Sequence, residues 1–158
     1  MDNKEIERKF RLEKQVKFEK WIERNEISQY YTEITTNKEV RYRQKGNKYF
    51  CTIKEGEGMS RTEIEKQITN KEFEKFQKDK VGRMIQKVRK EIIWNGWTLE
   101  IDEYIQPDDM TMILEIEFGS EKEAMGLDIA QLEEFIGCKL TEVTNDKSYK
   151  NKNIALNM

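Results

Sequence analysis

Charged side chains in this sequence recur two residues apart, and they are sorted by sign. Glu5, Glu7 and Lys9 stand in EIERK, Arg41 and Arg43 in VRYRQ, and Arg61, Glu63 and Glu65 in RTEIE. Lys87, Arg89 and Glu91 follow in QKVRKE, Glu100 and Asp102 in LEID, and Glu115 and Glu117 in LEIEF. In an extended chain successive side chains point to opposite faces, so each set shares one face. Taken singly, each set suits a strand with one side in the core and one in water. Together they differ from a solvated face, which mixes Lys and Glu with Thr, Ser, Gln and Asn, because here acidic pairs occupy some segments and basic pairs others. Acidic pairs can hold a hard divalent cation through oxygen ligands, and guanidinium and ammonium groups can hold a polyanion.

The basic positions on these faces are Lys9, Arg11, Arg41, Arg43, Lys54, Arg61, Lys87 and Arg89. They are too many for a monophosphate and suit a linear chain of phosphates. Mg²⁺ or Mn²⁺ is the expected metal, since carboxylates and phosphate oxygens bind such ions together. No GxxxxGK[ST] segment occurs, which disfavours a kinase or GTPase, and GEG at 56–58 reads as a turn. Histidine is absent, so an imidazole-based triad and the usual zinc sites are excluded.

The elements that must carry these residues read mostly as strands. After EIERKFRL, apolar positions 16, 18, 21 and 22 in VKFEKWIERN predict a short helix. ISQYYTEI, EVRYRQK and KYFCTIKE predict three consecutive antiparallel strands, the last two joined by a turn at Gly46 and Asn47. SRTEIEKQI predicts another strand, followed by a helix over NKEFEKFQKD with Asn70 as its cap. RMIQKVRKEIIW, WTLEIDEYI and MTMILEIEFG complete the strands, the first two of them joined at Asn95 and Gly96. SEKEAMG and LDIAQLEEFIG read as helices that end in glycine, and KSYKNKNIALNM as a short helix or an extended segment. Eight strands with interspersed helices give an α+β protein built on an antiparallel sheet or barrel.

Facing the charges into a closed sheet, with the apolar faces outward against helices, lets so charged a chain fold. Ile6, Phe10, Val40, Tyr42, Ile64, Ile68, Val88, Leu99, Ile101, Leu114, Ile116 and Phe118 are the expected outward set. An eight-stranded barrel has room for one small ligand. At 158 residues with one proline and scattered glycines, the chain reads as a single domain over 1–158. The 29 basic and 31 acidic residues leave a net charge of -2, which gives no bulk attraction for nucleic acid or an anionic membrane. Two cysteines without CxxC spacing, no long apolar run and a polar start at MDNKEIER lead to the expectation of a soluble, cytoplasmic protein.

With ExExK at 5–9, RxR at 41–43, TIK ending at Lys54, RxExE at 61–65, KxR at 87–89, ExD at 100–102 and ExE at 115–117, the sequence resembles the CYTH superfamily, the triphosphate tunnel metalloenzymes. The segment VTNDKSYKNKNIAL is similar to the family's C-terminal signature, and the motifs run in the family's order along essentially the whole chain. The resemblance implies an eight-stranded antiparallel tunnel that binds a triphosphate with a divalent metal. It implies Glu5, Glu7, Glu115 and Glu117 as metal ligands and Lys9, Arg41, Arg43, Lys54, Arg61, Lys87 and Arg89 as the phosphate clamp. Tyr31, Glu63 and Glu65 are the expected catalytic groups. Tyr31 aligns with a tyrosine proposed as proton acceptor in a QGYL-like segment of bacterial relatives, with Tyr30 here in place of the glycine. Surrounding positive charge is expected to lower its phenol pKa from about 10.

The activity implied is metal-dependent hydrolysis of inorganic triphosphate or a small organic triphosphate. Adenylate cyclase chemistry of the class IV kind and thiamine triphosphatase are the alternatives within the family. A polyphosphate-binding module without turnover is the non-enzymatic one, and the acidic set argues against it because binding alone needs only the cations. A homodimer is the generic expectation for oligomeric state.

Overall fold

Every segment with alternating charge forms a strand. The structure, a computed structural model, describes residues 6–56 and 62–157, so the predicted positions Glu5 and Arg61 lie outside the described residues. The strands are β1 (Ile6–Leu12), β2 (Glu23–Ile34), β3 (Lys38–Lys45), β4 (Lys48–Glu55), β5 (Thr62–Ile68), β6 (Val81–Trp94), β7 (Trp97–Gln106), β8 (Met112–Phe118) and β9 (Leu140–Glu142). All eight expected strands are present, and β9 adds three residues beside β1. The pairs are antiparallel and form one sheet in the order β5-β4-β3-β2-β6-β7-β8-β1-β9. Among the described residues the ladder does not close, and β5 and β9 stand at its ends. Asn95 (φ 51°) and Gly96 (φ 78°) make the tight β6–β7 connection, because a two-residue hairpin turn that follows the sheet's twist needs positive φ at both positions.

A buried cluster crosses the charged face of the sheet. Tyr31 of β2 and Ile113 of β8 sit in one buried cluster with Ile85 and Tyr104. Ile85 lies on β6 and Tyr104 on β7, so the cluster runs from strand to strand across four neighbours of the sheet. The outer face buries Phe10, Leu99, Ile101, Leu114, Ile116 and Phe118 against Ala124 of α2 (Glu121–Met125) and Leu132 and Ile136 of α3 (Ile129–Ile136). Each such side chain, fully buried, contributes about 1.5–3 kcal/mol. Val40 and Ile68 pack with Tyr30 and Phe73 under α1 (Asn70–Lys75), with Tyr42 against them. Ile64 departs from expectation: it lies on the edge strand β5 and is 64% exposed.

Two local readings are corrected. Residues 13–22 are irregular where a helix was expected. Val16 and Phe18, two apart, both pack on the outer apolar cluster, as an extended chain allows and a helix does not. The Phe18 carbonyl accepts from Lys90 Nζ at 2.7 Å, a bond that takes the place of a helical one. The cap of α1 is Thr69, not Asn70: its hydroxyl accepts from the Glu72 amide and the Glu72 carboxylate accepts from the Thr69 amide, a reciprocal capping box.

Beyond β9 the chain makes a 3-10 turn (Lys147–Tyr149) and α4 (Asn151–Leu156). Ile154 and Ala155 of α4 join Tyr31, Ile85, Tyr104 and Ile113, so this helix covers one end of the inner face. Gly82 (φ 73°) permits that approach, since a Cβ there would lie 2.2 Å from the Ala155 carbonyl oxygen.

Candidate active site

Strand register brings the predicted residues onto one continuous surface. Arg41 lies opposite Tyr31 and Thr52, Arg43 opposite Gln29, Thr52 opposite Glu65, and Lys54 opposite Glu63. Across β6 and β7, Arg89 faces Asp102 and Glu91 faces Glu100; beyond them Glu100 faces Glu115, Glu115 faces Lys9, and Glu117 faces Glu7. Basic groups thus concentrate on β4, β3 and β6, with the uncharged Gln29 and Tyr31 of β2 between them, and carboxylates on β7, β8 and β1.

The basic part is the more buried. Lys87 is 1% exposed, Arg89 9% and Asp102 5%. Asp102 accepts from Arg89 Nε at 2.8 Å and Nη2 at 3.0 Å, and Lys87 Nζ lies 2.9 Å from its Oδ2. Burial alone would raise the Asp102 carboxyl, but these two cations hold it well below the usual carboxylate range. Burial pushes the Lys87 ammonium down to about 7, with Arg89 and Arg43 adding to the fall and Asp102 opposing it. Arg43 is likewise lowered from its ordinary value, first by burial and then by the like charges of Arg41 and Arg89. Arg89 moves the other way, since Asp102 and Glu100 outweigh its burial.

At the β5 side, the Thr52 hydroxyl donates to Glu65 Oε2 at 2.7 Å and accepts from Arg41 Nη2 at 3.4 Å. Glu63 is exposed on the same edge strand, and Lys54 is half-buried opposite it. Tyr31 is buried, and its phenol is raised rather than lowered from its ordinary value: loss of water outweighs Arg41 and Arg43. The expectation that positive charge would win is therefore corrected. Lys9 donates to the Tyr149 carbonyl at 3.2 Å and Arg11 to the Tyr149 hydroxyl at 2.9 Å, which ties the turn before α4 to the inner face.

The acidic part opens into a pocket of about 530 Å³ lined by Glu7, Glu91, Glu100, Glu115 and Glu117 with Trp97 and Thr98. Burial, with Glu115 and Asp102 nearby, raises Glu100 against the pull of Arg89. Burial also acts to raise Glu115, but a hydrogen bond with Glu7 and the charges of Lys9 and Arg89 bring it below its ordinary value. Two carboxyl groups in such contact require a shared proton or a cation between them. Among the described residues no three acids converge closely enough to cage an ion by themselves. Oxygen donors in an open pocket fit an ion that takes one or two carboxylates and completes its shell with water and phosphate oxygens, the habit of Mg²⁺.

Gln29, Thr52 and Tyr149 also belong to this surface, and carrying no charge they are not marked by the charge pairs of the sequence. Gln29 and Thr52 were each detectable by parity, two residues before Tyr31 and Lys54.

No protein-family model matches the chain. It is 36% identical over 130 residues to an inorganic triphosphatase of Nitrosomonas europaea, covering 82% of each chain. It matches the crystal structure of an inorganic triphosphatase with a TM-score of 0.74 and 32% identity, over 98% of this chain and 96% of that one. A structure from Hippeastrum, of a protein with a dominant triphosphatase activity, shares the fold at a TM-score of 0.66 and 15% identity, over 92% and 93% of the two chains.

Proposed function

This chain belongs to the CYTH superfamily of triphosphate tunnel enzymes, and from that premise we propose that it is a metal-dependent hydrolase of inorganic triphosphate. The observation that carries the reading is the meeting, on one face of the sheet, of buried cations with an open carboxylate pocket. Arg41, Arg43, Lys54, Lys87 and Arg89 hold the phosphate chain, with Arg61 carried over from the family motif. Lys9 keeps two of its three donors for the same task after its bond to Tyr149. Glu7, Glu115 and Glu117 would hold Mg²⁺ or Mn²⁺, with Glu5 carried over from the family motif. When bound, the ion neutralises charge on the phosphate oxygens.

The protein's own groups do the positioning. Cations fixed by strand register and by Asp102 hold the chain in line, which is where catalysis of phosphoryl transfer mostly resides. Glu65, anchored by Thr52, orients the attacking water, and Glu63 lies next to it on the strand face. The water oxygen bonds to the terminal phosphorus, the bridging P–O bond breaks, pyrophosphate leaves, and the water proton passes to a carboxylate and then to solvent. Tyr31, with its raised phenol, keeps its proton at neutral pH and donates a hydrogen bond rather than acting as a base. Both cysteines are free, which suits a reducing cytoplasm.

The test is parallel incubation with tripolyphosphate, ATP and thiamine triphosphate in Mg²⁺ or Mn²⁺, with cyclic AMP measured in the ATP samples. Fast release of phosphate from tripolyphosphate without cyclic AMP is the expected result. Cyclic AMP with pyrophosphate would make the chain a cyclase, and turnover of thiamine triphosphate alone would move the substrate.

A further inference from the structure

Two hydrogen-bond donors in the basic part of the tunnel have no partner among the described residues: Nε2 of Gln29 and Nε of Arg41. Gln29 is 0% exposed. A buried donor left without a partner costs stability that an apolar residue would not, so its presence needs a reason.

The amide's orientation is fixed. Arg43 Nε donates to Gln29 Oε1 at 2.8 Å, which settles oxygen and nitrogen, because the reversed amide would set two donors against each other. With Oε1 turned to Arg43, the NH₂ group is the end left over. It stands on the face shared with Tyr31, Arg41 and Arg43, whose register pairs are Gln29 with Arg43 and Tyr31 with Arg41. The charges around it are almost all positive: Arg43 feels Arg41 and Arg89 as like charges, and Lys87 feels Arg89 and Arg43. An unpaired donor needs an acceptor, and the cations beside it would draw an oxyanion to that place.

We propose that Gln29 is a substrate-binding residue of the tunnel, with Oε1 holding the Arg43 guanidinium and Nε2 donating to a phosphate oxygen of the bound triphosphate. The inference rests on the triphosphatase reading and assigns one of its contacts to a residue that carries no charge. Amide and guanidinium then act as a unit, in which the substrate completes the hydrogen bonding of Nε2.

A double-mutant cycle separates this role from support of Arg43 alone. Binding of tripolyphosphate is measured in EDTA, so that hydrolysis does not intrude, for the wild type, Gln29→Met, Arg43→Met and the double variant. Calorimetry gives the affinities; ligand-induced melting shifts at millimolar tripolyphosphate register those too weak for it, and also confirm folding. Gln29→Met should weaken binding roughly 10- to 100-fold, the range for a hydrogen bond to a charged group. It should still weaken binding about tenfold in the Arg43→Met background. In steady state with metal, KM should rise more than kcat falls. If the glutamine change has no effect once Arg43 is gone, Gln29 acts only through Arg43 and the proposed contact does not exist. If the wild type does not bind tripolyphosphate, the substrate reading fails first and the contact falls with it.

Discussion

The basic part of the tunnel, around Lys87 and Arg89, is nearly sealed, whereas the acidic part, around Glu7, Glu115 and Glu117, opens into a pocket of about 530 Å³. The cations have given up water and are crowded by one another, which is why burial and like charge lower Lys87 and Arg43. A polyanion entering there relieves repulsion already built into the fold. The carboxylates keep room around them, as a small hard cation that dehydrates reluctantly requires. One face thus serves two ligands by different means, dryness for the phosphates and openness for the ion.

Asp102 joins the two parts, and its loss should have the largest effect. Asp102→Asn leaves Lys87 and Arg89 buried without their counter-ion, and breaking a buried pair costs about 3–5 kcal/mol. Urea denaturation should show that loss, and tripolyphosphate should raise the melting temperature of this variant more than that of the wild type. Equal ligand shifts would mean that substrate does not relieve the cation crowding.

On the acidic side, Glu7→Gln removes a charge from the open pocket. It should lower metal-dependent turnover at least about 100-fold, roughly 2.7 kcal/mol in barrier, with the fold intact. Affinity for tripolyphosphate in EDTA should hardly change, because the cations alone provide it. Full activity in this variant would remove Glu7 from the metal site.

The pH dependence of binding tests the sealed side more finely. Lys87 has a folded value of about 7, below the ordinary lysine value near 10.4. Below pH 7 it is charged before substrate arrives; above that it is neutral, and binding must recruit a proton. Affinity should therefore fall as pH rises through 7, by up to about tenfold per unit, with proton uptake visible as a buffer-dependent calorimetric enthalpy. A flat profile between pH 7 and 9 would show that Lys87 stays charged in the empty tunnel.

The smallest effect belongs outside the tunnel. Thr69→Ala removes the cap of α1 and should cost about 1 kcal/mol of stability while leaving KM and kcat unchanged. A change in either kinetic constant would couple α1 to the inner face through Tyr30, whose hydroxyl donates to the Phe73 carbonyl.

The inner face was readable because strand alternation writes it directly into the sequence. Arg41 with Arg43, Lys87 with Arg89 and Glu115 with Glu117 declare both their strands and their shared side. The Asn95-Gly96 turn was equally plain, since few residue pairs accept positive φ twice. What failed depended on contacts distant in sequence. The apolar spacing of 16, 18, 21 and 22 resembles a helix until Val16 and Phe18 are seen packed on the outer cluster. Tyr31 has cations beside it, yet α4 and its apolar neighbours dehydrate the phenol, and that depends on a segment over a hundred residues away. Parity places Gln29 on the inner face, two residues before Tyr31, but its chemistry lies in an amide orientation set by Arg43, which no spacing encodes.

The most direct measurement is phosphate release from tripolyphosphate by the purified protein, first in EDTA and then with Mg²⁺ or Mn²⁺ restored. Release of one phosphate and one pyrophosphate per tripolyphosphate, absent in EDTA and recovered with the ion, is the expected result. Equal release in EDTA would contradict the division between a cationic clamp and a metal-holding carboxylate pocket, and no release under any condition would contradict the triphosphatase itself.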